Sequence, residues 1–269
     1  MTTLEAILLW GAILAYVLAF VALSASPFFK APWLPRAGLM LTFAAVVAHG
    51  GAILTRWIGT GHAPVMGSYE NSLTGAFFLP LIWGVMAWRY PITRRAAFLV
   101  IAATLLILGN GVMAPVSLAP LEPPYRSNWL VVHVVFAWFA FGSYLVASVL
   151  ALRYLWVTRK NAPTPEPDRR PLLDELTFKL IAFGFISDSI MIASGAIWAR
   201  GLWGRYWAWD PIETWSLVSW LIYGANLHFR FTLGWKGRRA AWLAAISVIA
   251  IIITFFGIGV ISDVHTQLL

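Results

Sequence analysis

Residues 129–157 read WLVVHVVFAWFAFGSYLVASVLALRYLWV, a run whose only lysine, arginine or acidic residue is Arg153. A helix of this length and apolar character can cross the hydrocarbon core of a bilayer. Further apolar runs occur along the chain, and the full set covers roughly 6–26, 38–56, 72–88, 96–114, 129–157, 176–198, 213–231 and 240–261. The sequence therefore predicts an all-α fold, a polytopic transmembrane helical bundle of about eight spans.

The composition of the whole chain supports a membrane protein. The 269 residues are 60% hydrophobic and 11% charged, whereas a soluble domain carries about 25% charged residues. No linker is long enough to separate two domains, so we expect a single integral membrane domain over residues 1–269. Cysteine is absent, which excludes disulfides, thiolate metal sites and a cysteine nucleophile within this sequence.

The distribution of basic residues predicts the topology. With eight spans and an outward N-terminus, 15 of the 19 lysines and arginines fall on one side, and the other side receives Arg56, Arg126, Arg200 and Arg205. The positive-inside rule then places both termini on the extracytoplasmic side of the cell (inner) membrane. The net charge of +8 is accounted for by this asymmetry and by contact with membrane lipid, so it does not indicate a nucleic-acid partner.

Tryptophan is concentrated in one segment. Six of the 16 tryptophans lie between Trp198 and Trp220, and part of this segment falls in an outer loop at residues 199–213. Scattered tryptophans are typical of a membrane–water interface. Here they alternate with two acidic residues and a turn proline, which favours a flat apolar platform with polar edges. Indole rings on such a platform can stack on a large planar ligand and donate hydrogen bonds from their N–H groups.

The end of this loop also has the pattern of a helix start. Asp210 suits an N-cap, Pro211 the first helical position and Glu213 the third, as in a capping box. The two acidic residues therefore have a structural explanation beside a functional one.

Residues 203–217, WGRYWAWDPIETWSL, resemble the WWD signature of the haem-handling superfamily. Within that superfamily the chain is most similar to the CcsA/ResC proteins of system II cytochrome c biogenesis. The resemblance implies binding of haem b at the extracytoplasmic face for attachment to apocytochrome c. It also implies that Trp203, Trp207, Trp209 and Asp210 contact the haem, and Arg205 is the best candidate for pairing with a propionate.

Two of the five histidines share the predicted outer side with the tryptophan loop. His133 lies about one turn inside span five, and His265 follows span eight, so a bis-histidine haem above the loop is geometrically reasonable. His228 lies about 22 Å deeper, near the cytoplasmic end of span seven, where it is either a functional residue or an interfacial anchor. The resemblance implies that His133 and His265 ligate an outer haem. It implies that His228 ligates an inner one, together with a histidine of a CcsB/ResB partner.

Four other polar residues in apolar or outer segments have more ordinary interpretations. His49 is expected to be hydrogen-bonded between helices. His62 and Glu70 lie in an outer segment that matches the family only loosely, so they are expected to be near the site without ligating iron. Asp188, midway along span six, is expected to bond to Ser187, Ser189 or a neighbouring helix.

The resemblance predicts part of a two-subunit holocytochrome c synthase, a haem lyase, in which the thiols of a Cys-x-x-Cys-His apocytochrome add to the haem vinyls. The nearest alternative is CcmC-like haem delivery to a chaperone, although such proteins usually have six spans. A b-type dihaem electron-transfer protein would need paired histidines at two depths. A solute transporter would place broken helices near the middle of the membrane.

Overall fold

The computed structural model describes residues 1–29, 31–116, 121, 123–159 and 168–257. Their regular structure is helical, with no strand among them. A helix lies at every predicted span: α1 (Thr3–Ala25), α2 (Leu34–Thr60), α3 (Gly67–Arg89), α4 (Ala97–Val112), α5 (Asn128–Val157), α6 (Arg170–Trp203), α7 (Pro211–Phe231) and α8 (Arg238–Ile252). Short 3₁₀ turns precede α4 and α5, and a π-helical turn, Ile253–Gly257, extends α8.

Six of these helices are long and apolar enough to cross a membrane: α1, α2, α3, α5, α6, and α8 together with its π-turn. The shorter apolar helix α4 has 16 residues and is about 24 Å long. The remaining helix, α7, has 21 residues and mixes polar side chains with apolar ones, so it falls below the hydropathy of the six. The predicted all-α polytopic bundle is confirmed, whereas the outward orientation of both termini stays a prediction.

The helix ends follow from the local sequence. Thr2 and Glu5 form a reciprocal capping box at the start of α1, and Ser127 accepts a hydrogen bond from the amide of Trp129 at the start of α5. Helices α2 and α6 end at Gly61 and Gly204, whose φ angles of 74° and 76° lie in the left-handed region that glycine adopts without strain.

The chain divides into two compact helical units, Met1–Pro123 and a second that begins at Pro124. In the first unit α1 packs against α2 and α4, and α3 packs against α2 and α4. Its core includes Tyr16, Trp83 and Leu79, which are almost completely buried.

The second unit is built on two long helices, α5 and α6, that pack against each other. Helices α7 and α8 pack against this pair. Helix α5 is extensively buried, with aromatic residues such as Phe141 and Tyr144 in the core of the unit. Helix α7 is the least enclosed of the four, because only Ser219, Tyr223 and Asn226 are buried along its length. The tryptophan loop and two of the three histidines predicted to bind iron, His133 and His228, all lie in this unit.

Candidate functional site

The tryptophan loop leaves α6 at a tight turn. Trp203 is the last residue of α6, and the amide of Gly204 donates to the carbonyl of Arg200 at 3.0 Å. The guanidinium of Arg200 reaches forward and donates to the carbonyl of Gly204. It also lies over the ring of Tyr206, 5.8 Å from the ring centroid. Arg200 therefore serves to close the turn, which gives one of the four predicted outer arginines a structural role.

The other end of the loop is the start of α7. Asp210 is the N-cap, its carboxylate accepts from the amide of Glu213 at 2.8 Å, and Pro211 opens the helix. This part of the capping prediction is confirmed. The carboxylate of Glu213 does not return to the N-cap amide, however, and instead accepts from the amide of Ala208 at 2.6 Å. Glu213 thus also fixes the loop itself, at a residue three positions before the helix begins.

Trp209 has a backbone conformation that is rare for a bulky residue. Its φ angle is 60°, and it is the one residue other than glycine with positive φ in the described parts of the chain. Such a conformation costs about 1–3 kcal/mol and persists only where the surroundings hold it. The hydrogen bonds of Ala208 and Asp210 to Glu213 on either side supply that restraint. The loop is therefore held in a strained shape that displays Trp209.

The aromatic rings of the loop are largely open to the surroundings. Trp209 is 70% exposed, Tyr206 59% and Trp203 41%. Trp207 is more enclosed and meets Trp209 edge to face, with ring centroids 5.9 Å apart. The buried indole nitrogen of Trp207 has no hydrogen-bond partner within the described ranges. The exposed rings suit stacking on a planar aromatic ligand.

Arg205 is exposed at the middle of the loop, and no ion pair or hydrogen bond of its side chain occurs among the described residues. Its position beside the exposed rings leaves it as the best-placed basic residue for a carboxylate of a ligand. Arg56 is 3% exposed and pairs with Glu70 at 2.8 Å and with Glu5 at 3.9 Å, so its side chain is held inside the first helical unit.

His133 lies on α5, and its ring packs against α6. Its Nδ1 is 2.9 Å from the carbonyl oxygen of Met191. Gly195 makes room for the ring, because a Cβ there would lie 2.6 Å from Nδ1. A carbonyl can only accept, so Nδ1 carries the proton and the lone pair of the neutral ring lies on Nε2. This arrangement of a backbone acceptor behind a histidine is common where the other nitrogen binds a metal.

His228 lies near the end of α7 and its side chain is exposed. Its Nδ1 is 3.3 Å from the hydroxyl of Thr232, one turn further along the chain. The ring therefore faces away from the packed interior of the second unit, where a ligand or another protein can reach it. His265, the third predicted iron ligand, lies outside the described residues.

Arg230 has a structural role that the sequence did not reveal. It donates to Asp174 of α6 at 2.6 Å and to the carbonyl of Trp235 at 3.2 Å. The second carboxylate oxygen of Asp174 accepts from the amide of Gly237 at 2.8 Å. The pair ties the connection between α7 and α8 to α6. Arg230 is thus the residue that fastens the C-terminal end of α7 to α6, and His228 makes none of these hydrogen bonds.

His49 and His62 both have hydrogen-bond partners within the first unit. His49 is fully buried, with Nε2 2.8 Å from the carbonyl of Leu73 and Nδ1 3.3 Å from the hydroxyl of Tyr16. His62 is close to its neighbour's carbonyl, and its Nδ1 is 4.0 Å from a carboxylate oxygen of Glu70. The interpretation of His49 as a histidine bonded between helices agrees with this geometry.

Asp188 is fully buried and accepts a hydrogen bond of 3.2 Å from the hydroxyl of Tyr144 on α5. Of the partners considered from the sequence, the neighbouring helix is therefore the one observed. Ser189 instead accepts from the indole nitrogen of Trp220 at 2.8 Å, which ties α7 to α6. The tryptophan-rich segment thus has two functions in the fold, since Trp220 packs helices while Trp203 and Trp209 stay exposed.

A family model described as "Cytochrome C assembly protein" matches residues 1–265. A protein from Synechococcus sp. (strain CC9605), named cytochrome c biogenesis protein CcsA, is 32% identical over 93% of this chain and 90% of its own length. A protein of the same name from Gloeobacter violaceus (strain ATCC 29082 / PCC 7421) is 30% identical over 89% and 88%.

Among solved structures, one named cytochrome c heme lyase CcmF superimposes with a TM-score of 0.75 at 18% identity. The superposition covers 94% of this chain and 46% of the other, so this chain corresponds to less than half of that protein. At this level of identity the similarity concerns the fold.

Proposed function

The chain belongs to the cytochrome c assembly protein family and to the CcsA family within it, and on this basis we propose that it binds haem b and presents it for attachment to apocytochrome c. The attachment takes place at the extracytoplasmic face of the inner membrane, in a complex with a CcsB/ResB-type membrane protein. The observation that carries the proposal is the exposed, strained aromatic loop in the same helical unit as a histidine whose Nδ1 is held by a carbonyl.

The outer haem site is assigned to His133 and the tryptophan loop. The contact of His133 with Gly195 lies eight residues before Trp203 on α6, about 12 Å along the helix. A haem macrocycle coordinated by Nε2 of His133 can therefore extend toward the exposed rings of Trp203 and Trp209. Asp210 helps to hold the loop, and Arg205 pairs with a propionate.

The second outer ligand is assigned to His265. It follows α8 in the sequence, and the positive-inside topology places it on the same side as the loop. Two axial imidazoles give a six-coordinate iron, which holds haem firmly until the histidine of the apocytochrome displaces one of them.

An inner-leaflet haem is assigned to His228. The side chain is exposed on the least enclosed helix of the second unit, where its ring lies beside the hydroxyl of Thr232 and the ring of Phe229. A second imidazole for this iron is supplied by the CcsB/ResB-type partner. The same exposure is the reason to expect that α7 contributes to the surface on which that partner binds.

The thiols that react belong to the Cys-x-x-Cys-His segment of the apocytochrome. Each S–H adds across one vinyl group, so a C–S bond and a C–H bond form and no electron is gained or lost. The contribution of this chain is to orient the vinyl edge toward the apocytochrome, to exclude water and to keep the iron coordinated. It acts in this way as part of a two-subunit haem lyase.

The eight helices and the match over 90% of a CcsA relative favour this role over CcmC-like delivery to a chaperone. His49 is buried and both of its ring nitrogens have hydrogen-bond partners, so it is not available to bind iron. This leaves fewer histidines for a b-type dihaem protein, which needs paired histidines at two depths.

The proposal is tested with purified protein, alone and with a CcsB/ResB-type partner. Reduced haem spectra and cytochrome c maturation are measured for His133→Ala, His265→Ala, the double variant and His228→Ala. We expect the double variant to lose the outer haem and maturation. We expect His228→Ala to lose haem only from the complex with the partner.

His62→Ala is the matched control, since it removes a histidine of the first unit that is not assigned to iron. It should retain haem and maturation. If the double variant of His133 and His265 keeps both wild-type haem content and maturation, the outer site is assigned to the wrong residues.

A further inference from the structure

A group of buried polar side chains from three helices meets inside the second unit, away from the tryptophan loop. One oxygen of the Asp188 carboxylate accepts from Tyr144, and the other, Oδ1, is buried with no hydrogen-bond partner among the described residues. The rings of Tyr144 and Tyr223 stack with their centroids 3.3 Å apart and their planes within 3°. The hydroxyl of Tyr223 is likewise buried and without a partner in the described ranges.

The packing around this group is specific. A Cβ at Gly184, one turn before Asp188 on α6, would lie 2.6 Å from the ring of Tyr144. The glycine therefore allows the ring to lie directly against α6, next to the carboxyl group. Ser143 and Ser187, which precede Tyr144 and Asp188, also have buried hydroxyl oxygens without partners in the described part of the chain. Several oxygen atoms thus lack the bonds that buried polar groups normally make.

Among the described residues no positively charged side chain pairs with Asp188. The titratable groups at the carboxyl group are Tyr144, which bonds to it, and Tyr223, whose ring stacks on Tyr144. The next such groups on α5 are His133, eleven residues before Tyr144, and Arg153, nine residues after it. On α8 the charged residues Arg238 and Arg239 are confined to the first two positions. On α6 and α7 the nearest charges, Lys179 and Arg230, pair with other carboxylates at the far end of the unit.

An ionised carboxylate in such surroundings is disfavoured, because its loss of hydration is not compensated by a cation or by enough donors. A neutral carboxylic acid needs one acceptor for its O–H and one donor for its carbonyl oxygen. Tyr144 supplies that donor to Oδ2, whereas an ionised carboxylate would need several donors and has this one among the described residues. We propose that Asp188 is a proton-binding site within the membrane-embedded part of the second unit.

A route for the proton leads along α7 toward its C-terminal end. Tyr223 lies one turn from Asn226, which donates to Ser247 of α8 at 2.9 Å. Asn226 also lines a cavity between α5, α6, α7 and α8 whose polar residues include Asp174 and Arg230. Polar groups therefore extend from this cavity to within one turn of Tyr223 on α7, and we assign proton exchange to that side.

The site also lies close to the proposed outer haem site. One face of α6 carries Asp188, followed three residues later by Met191 and seven residues later by Gly195. The ring of His133 packs against Met191 and Gly195. A proton entering or leaving Asp188 changes the charge about one helical turn from that contact. This consequence rests on the proposed function: the positive charge of a ferric iron held by His133 would favour loss of the Asp188 proton, and reduction of the iron would favour its return.

The proton site itself is tested on haem-free protein, which keeps it separate from the proposed function. Infrared difference spectroscopy in H₂O and D₂O reports the C=O stretch of a protonated carboxyl group. We expect one such band at neutral pH, its loss in Asp188→Asn, and a shift in Tyr144→Phe. Glu175→Gln, at an exposed position of the same helix, should leave the band unchanged. The proposal would be overturned by a spectrum without a carboxylic acid band. It would also be overturned by a band that survives in Asp188→Asn and does not shift in Tyr144→Phe, or by a band that disappears when sodium ions are added.

The coupling to haem is tested in the haem-loaded complex. The midpoint potential of the outer haem should fall with pH by up to about 59 mV per unit, the value for one proton per electron. Asp188→Asn should reduce this slope while retaining the haem content of the wild type. An unchanged slope with a lost infrared band would place the proton at Asp188 but refute its coupling to the haem. Loss of haem in His133→Ala has no bearing on the infrared band, so the two proposals fail independently.

Discussion

Gly195→Ala is the substitution whose effect on the outer site follows most directly from the structure. The added methyl group would lie 2.6 Å from Nδ1 and 2.9 Å from Cε1 of His133. Ordinary van der Waals contact begins near 3.4 Å, so the imidazole must retreat by about 0.8 Å, the difference between 3.4 and 2.6 Å. The bond from Nδ1 to the carbonyl of Met191, now 2.9 Å, would lengthen by a comparable amount and lose most of its strength.

The loss of that bond is expected to weaken haem binding. The Nδ1 bond orients the ring and raises the basicity of Nε2, and removing such a partner lowers metal affinity by about 10–100-fold. We therefore expect Gly195→Ala to reduce outer haem retention by a factor in this range. His133→Ala should abolish it.

Gly201→Ala is a control on the same helix. A Cβ at Gly201 meets nothing within 4 Å, yet both substitutions replace a helical glycine and gain about 1 kcal/mol of helix propensity. Haem content by pyridine haemochrome, haem titration and thermal unfolding would be compared for the two variants. A Gly195→Ala protein with wild-type haem affinity and spectrum would refute the assignment of His133 as the ligand oriented by Met191.

Three further substitutions test the loop and its support. Trp209→Gly removes the strain of a φ of 60°, so we expect unfolding free energy to rise by about 1 kcal/mol while haem affinity, measured by titration, falls with the loss of the exposed ring. Asp210→Ala removes the N-cap of α7 and should cost about 1 kcal/mol in thermal unfolding, most of which Asp210→Asn should recover. Arg230→Met leaves Asp174 without its guanidinium. We expect a loss of roughly 3 kcal/mol, the lower end of the range for buried pairs, because both side chains keep some exposure, and the double variant with Asp174→Leu should recover much of it.

The helices were predictable because the bilayer imposes a strong constraint on sequence. Every backbone polar group within the hydrocarbon core must be satisfied internally, so a long apolar run predicts a helix. The hydropathy of a run marks only its apolar part. Helix α6 was predicted from 176 to 198 but extends over Arg170–Trp203, because its polar ends continue the helix outside the apolar core. The prediction therefore located each helix and, for α6, underestimated its length.

The partners of charged residues were not predictable in the same way. Arg56 was counted among the outer arginines from its position alone, yet it is buried against Glu5 and Glu70. Arg230 pairs with Asp174, 56 positions away in the sequence. A charge pattern along the chain shows on which side of the membrane a residue lies. It does not show which helix brings a carboxylate to it, since that depends on tertiary packing.

Glu213 shows why capping and site geometry cannot be separated in this loop. From the sequence, Glu213 was a capping-box residue whose task was to start α7. Its amide does receive the Asp210 cap, but its carboxylate holds the amide of Ala208, between Trp207 and Trp209. The same side chain therefore fixes the helix start and the strained turn that displays Trp209. A substitution of Glu213 that leaves α7 intact would still be expected to release the loop. On the proposed function, we therefore expect the acidic residues of the signature to act on haem binding through the shape they impose on the tryptophans.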